Sequence, residues 1–137
     1  MQLDRRQFTL AMATTTIAAM TVAACSLPAT HGEQPMYGLI GKMLAAPGQR
    51  DAFIAILLEG TGAMPGCLSY VVARDVKDEN AIWITEVWDS KDSHAASLTL
   101  PEVKAAIAKA RPLIAGFGDY STTEPVGGVG VSKRAQG

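Results

Sequence analysis

The run Glu86-Val87-Trp88-Asp89-Ser90-Lys91-Asp92-Ser93-His94 sets a carboxylate, an indole and an imidazole in one short stretch. Imidazole is the side chain whose unperturbed pKa lies nearest physiological pH, which suits His94 to general-base work. Glu86 shares strand parity with Ile82, Ile84 and Trp88. A buried carboxylate without a partner is costly, so Glu86 either reaches a rim or is paired, with Arg74 and Arg111 as candidate cations. Trp88 and Tyr70 offer flat rings on which an aromatic ligand can stack, or they belong to the core. His94 and Glu86 are therefore the candidate catalytic residues, and Trp88 and Tyr70 the candidate substrate-binding ones. The plainer alternative is a strand that ends in a helix cap, with His94 on a solvated turn near Asp89 and Asp92.

Other chemistries lack their residues. Zinc requires three or four clustered ligands, whereas His31 lies far from His94 in sequence and Cys67 is at an unrelated position, so no metal site is expected. Gly127-Gly128 and Gly130 follow the last predicted strand and open no helix, which removes a dinucleotide fingerprint. A Gly-x-Ser-x-Gly elbow is absent. The formal net charge is −1 and the basic residues are dispersed, so nucleic acid is not an expected partner. Cys67 reads as a small hydrophobe rather than a nucleophile.

The elements that must position these residues follow from pattern. Tyr37 to Leu44 reads as a strand closed by Pro47-Gly48. Phe53, Ile56, Leu57, Gly60 and Met64 recur at helical spacing. Pro65-Gly66 breaks that helix. In the next strand Leu68, Tyr70 and Val72 face one way, and Cys67, Ser69, Val71 and Ala73 the other. After the polar turn Asp75–Asn80, a strand from Ala81 to Trp88 completes a hairpin and turns Trp83, Thr85 and Val87 to its second face. Asp89 and Ser90 can cap a short helix through His94 to Leu98. Thr99-Leu100-Pro101-Glu102 reads as a capping box for a further helix whose buried side is Val103, Ile107, Ala110 and Ile114. A last strand is expected over Phe117–Glu124. The order is that of a split βαβ α+β domain: four antiparallel strands with the helices on one face. The opposite face carries Val71, Trp83 and Val87, and a second copy packed sheet to sheet would cover it.

The N-terminus reads differently. Residues 1–24 combine Arg5-Arg6 and Phe8 with an uncharged, threonine-rich apolar run, and resemble a twin-arginine export signal. Val22-Ala23-Ala24-Cys25 resembles a lipobox, in which Cys25 would be lipidated. The run is too short and too diluted by threonine to span a bilayer. The expected organisation is signal (1–24), tether (25–35, with His31), domain (36–126) and tail (127–137). The protein is expected in the periplasm or cell envelope, touching membrane only through Cys25.

Tyr37-Gly38-Leu39-Ile40, Pro47-Gly48-Gln49-Arg50, Pro65-Gly66-Cys67-Leu68-Ser69-Tyr70, Glu86-Val87-Trp88 and the Ser90–Leu98 segment resemble, in that order and spacing, the antibiotic biosynthesis monooxygenase family over residues 36–126. The resemblance implies a ferredoxin-like protomer in a dimeric α+β barrel. It also implies oxidation of a quinol or small phenol by oxygen, with no cofactor. Many relatives carry a histidine that would fall at Ser97, one turn beyond His94. The haem-degrading branch uses an asparagine in the first strand, and none occurs between Tyr37 and Leu44. Such chemistry needs a base to deprotonate the phenol, an apolar enclosure, and hydrogen bonds that hold the ring. A non-catalytic, envelope-tethered protein that binds a small aromatic ligand would use the same residues.

Overall fold

The structure is a computed structural model and describes residues 34–131. Arg5, Arg6, Cys25 and His31, and with them the export signal and most of the tether, lie outside the described residues, as do residues 132–137.

Strands and helices follow one another in the expected order: β1 (Tyr37–Ala45), α1 (Arg50–Gly60), β2 (Cys67–Arg74), β3 (Ala81–Trp88), α2 (Lys91–Ser97), α3 (Pro101–Ala110) and β4 (Ile114–Thr123), with a 3₁₀ turn at Arg111–Leu113 before β4. The strands form one antiparallel sheet in the order β2-β3-β1-β4. The two central strands are the ones richest in inward apolar residues. Ile82, Ile84 and Trp88 of β3 and Leu39 and Ala45 of β1 are buried. Phe53 from α1 and Ala110 from α3 close over Ala45, Ile82 and Ile84, so the core lies between the sheet and these two helices. Gly60 sits where α1 meets α3, close enough that a Cβ there would collide with Ala106.

Several boundaries differ from the sequence reading, each for a local reason. Helix α1 ends at Gly60, so Met64 falls outside it. On α3 the inward residues are Ala106, against Gly60, and Ala110, whereas Ile107 is exposed: close helix approach favours the small side chains. The capping box does not form. Thr99 Oγ1 donates back to the Ala96 carbonyl at 2.7 Å, and Leu100 becomes the N-cap without a side-chain bond. Pro101 has no N–H to satisfy, which eases the first turn. Strand β4 starts three residues before Phe117, because the turn through Pro112 delivers Ile114 directly to its pairing with Ala45.

The sheet face away from the helices aligns Ile40, Thr85 and Val71 across three strands. Val71 is 52% exposed and Ile40 38%. Trp83 on this face is not bare apolar surface: its Nε1 donates to Asp75 Oδ2 at 2.9 Å, and Lys42 Nζ meets the same oxygen at 3.0 Å while lying over the indole. The backbone N–H of Lys77, then Lys42 and Trp83, hold the Asp75 carboxyl well below the usual carboxylate range. A depressed carboxyl stabilises the fold above its ordinary range, and that contribution fades as acid protonates it.

Candidate functional site

The site is built where β1, β2 and β3 meet α2. In a strand, residues two apart share a face, so Glu86 and Trp88 stand side by side. Trp88 Nε1 donates to Glu86 Oε2 at 2.8 Å. Register adds the neighbours: Tyr37 lies opposite Trp88, Leu39 opposite Glu86 on β1, and Tyr70 opposite Glu86 on β2. A bulge between Cys67 and Ser69 shifts β2 by one residue and pairs Cys67 with Trp88. Cys67 therefore joins the face of Tyr70, against the strict alternation expected from sequence.

Helix α2 brings the imidazole. Ser90, rather than Asp89, is its N-cap and accepts from the Ser93 N–H at 3.1 Å. The Asp89 N–H donates to the Gly66 carbonyl at 2.9 Å, tying the exit of β3 to the entry of β2. Gly66 has φ +82°, and a Cβ there would lie 2.5 Å from Ser93 and 2.8 Å from Asp89 Oδ1. Its lack of a side chain lets α2 seat against the turn before β2.

So placed, His94 is not on a solvated turn. Its ring lies 5.4 Å from that of Tyr37, tilted, and 5.4 Å from that of Trp88, edge-on. His94 Nε2 stands 3.9 Å from Glu86 Oε2, and both side chains are about four-fifths covered. That separation exceeds a hydrogen bond but leaves the imidazole and carboxylate in direct electrostatic contact. Neither expected arginine reaches Glu86. Among the described residues Arg74 instead grips Asp51 Oδ1 through Nε and Nη2, at 3.1 and 2.9 Å.

The remaining candidates divide. Trp88 is 1% exposed, so protein occupies both faces of its ring, and it forms a wall beneath Glu86 and His94 rather than an open stacking surface. Tyr70 is half-buried, and burial, followed by the Glu86 charge, pushes its phenol well above the ordinary tyrosine range. Burial and then Glu86 likewise raise the Cys67 thiol. Ser97 is buried with its hydroxyl spent on the His94 carbonyl at 2.7 Å, so the imidazole on this helix comes from the preceding turn. Sequence reasoning missed Tyr37 and Cys67 as site residues. Only the β1–β3 register could have revealed the first, and the bulge the second.

Chemically, the arrangement offers an imidazole base with a carboxylate behind it, flanked by phenol rings. Among the described residues no three His, Cys, Asp or Glu side chains converge as a metal site would require. A separate cleft of about 400 Å³ lies between Met36, before β1, and Pro125 and Val126, after β4; Glu124 is its one titratable lining residue.

A four-stranded antiparallel sheet of this order with its helices on one face is the ferredoxin-like α+β fold. The chain belongs to the antibiotic biosynthesis monooxygenase family, whose model matches residues 36–109, and so to a monooxygenase class. A crystal structure of a protein assigned to this family from Chloroflexus aurantiacus J-10-fl is similar to it at 70% identity and TM-score 0.67, covering 68% of this chain and 95% of that one. Two more distant structures speak to the fold alone. One, from Caulobacter crescentus CB15, is 24% identical with TM-score 0.63, covering 69% of this chain and 93% of its own. The other, from Bordetella bronchiseptica, is 16% identical with TM-score 0.58, covering 68% and 99%. No curated protein matches the chain.

Proposed function

We propose that this protein oxidises a quinol or small phenol with oxygen and without a cofactor, His94 acting as the base. The observation that carries this reading is the His94 imidazole held between the rings of Tyr37 and Trp88 with Glu86 at 3.9 Å. Family membership supports the class of reaction. The imidazole takes a hydroxyl proton, and the electron-rich anion then passes an electron to oxygen. One oxygen atom enters the ring and the other leaves as water, the electrons coming from the substrate itself. Glu86 orients the imidazole and stabilises the cation it becomes.

Chelator-treated protein is expected to consume oxygen with a hydroquinone faster than the spontaneous reaction, and ¹⁸O₂ should leave one labelled atom in the product. His94→Ala should lower this uptake roughly 100-fold. Quinol binding without excess uptake would replace this reading with a ligand-binding protein.

The same reading includes a homodimer packed through the sheet face that carries Ile40 and Val71. Both are exposed apolar residues at the middle of their strands on one sheet face, which supports a partner there. Light scattering at micromolar concentration should give twice the chain mass; a folded monomer throughout that range would remove the dimer.

A further inference from the structure

We propose that the site selects uncharged hydroxylated aromatics and turns away aromatic acids, with Glu86 as the residue that enforces the choice. The inference rests on the aromatic-substrate reading above and goes further by assigning a charge rule. Glu86 Oε2 is engaged by Trp88 Nε1 and faces His94, while Oε1 has no hydrogen-bond partner among the described residues. With 17% of its side chain exposed, that carboxylate is an acceptor awaiting a donor, such as a ligand hydroxyl.

Four of the eight lysines and arginines among the described residues are committed elsewhere, and none of the eight forms an ion pair with Glu86. Lys42 is paired with Asp75 on the opposite sheet face, Arg74 with Asp51, and Lys109 with Glu59. Arg50 donates to the carbonyls of Asp75 and Asp78. Among the described residues His94 is the one basic group that pairs with Glu86. Burial first, and the Glu86 charge second, favour the protonated forms of the Tyr70 phenol and the Cys67 thiol, so neither brings positive charge to the site, and the Cys67 S–H is already spent on the Ser69 carbonyl at 3.6 Å. A second carboxylate in this partly closed space would meet repulsion that bulk water no longer screens.

Three probes separate charge from shape: hydroquinone, 2,5-dihydroxybenzamide and 2,5-dihydroxybenzoate, the last two differing in little but the charge. Equilibrium dialysis under nitrogen, which prevents turnover, at pH 8, above the ordinary titration range of imidazole, should show the amide binding ~10-fold or more tighter than the acid. Glu86→Gln keeps the side-chain length and an oxygen for the Trp88 N–H. It should bring the two to within about threefold of each other, mainly by improving the acid. Equal binding of amide and acid by the unaltered protein would overturn the inference, as would an undiminished gap in Glu86→Gln. Oxygen uptake that persists in the face of equal binding would leave the oxidation reading standing without the charge rule. Amide selectivity without uptake would do the reverse, and failure of all three probes to bind would remove both.

Discussion

Gly66→Val is expected to cost about 3 kcal/mol of folding stability, read as a lower urea midpoint, and to abolish activity at the site. Two penalties combine. A β-branched residue at φ +82° costs ~1–2 kcal/mol of backbone strain. Its Cβ would also fall within 2.5 Å of Ser93 and 2.8 Å of Asp89, an overlap of the kind that costs ~1–3 kcal/mol. Relief requires α2 to move outward, and His94 rides on α2. Gly66→Ala should show the same direction with a smaller loss. Wild-type stability in the valine variant would mean that the Asp89–Gly66 bond and the Ser93 contact do not fix the helix.

Trp88→Ala should destabilise the protein by about 3–5 kcal/mol, the range for removing a fully enclosed large aromatic residue. Trp88 is among the largest fully buried side chains, at 1% exposure. Its removal also strips Glu86 of its indole donor and His94 of one ring contact. Trp88→Phe isolates the second effect: the ring volume is mostly kept while the N–H is lost, for a smaller loss of about 1–3 kcal/mol. If Trp88→Phe matched the wild type in both denaturation and oxygen uptake, the Glu86–Trp88 bond would have no part in ordering the site.

Much of this was legible in the sequence because β periodicity is local. The alternation in residues 81–88 gave β3 its bounds and put Glu86, Ile82, Ile84 and Trp88 on one face, where the structure has them. The run of hydroxyls and acids after Trp88 announced the cap of α2, and so the approach of His94 to that face. What could not be read depends on pairing between distant segments. Tyr37 joins His94 only through the β1–β3 register, and Arg74 is drawn from Glu86 by an aspartate on α1. The Lys42–Asp75–Trp83 group joins a strand, a turn and a second strand, and nothing in any one of those segments signals it. Thr99 shows a further limit: a capping-box pattern competes with a hydroxyl-to-carbonyl bond one turn back, and the latter wins here.

The one-residue slip at the start of β2 has a consequence for the protein's chemical endurance. It turns a sulfur atom toward the place where oxygen and an oxidisable substrate would meet. Thiolates, not thiols, are what peroxides and electrophiles attack, and susceptibility follows the thiolate fraction. Burial and the nearby Glu86 charge shift Cys67 toward the thiol. Burial, with the charge of the carboxylate beside the imidazole added to it, thus favours the sluggish form of this sulfur, which would slow the oxidative ageing of a cysteine so placed.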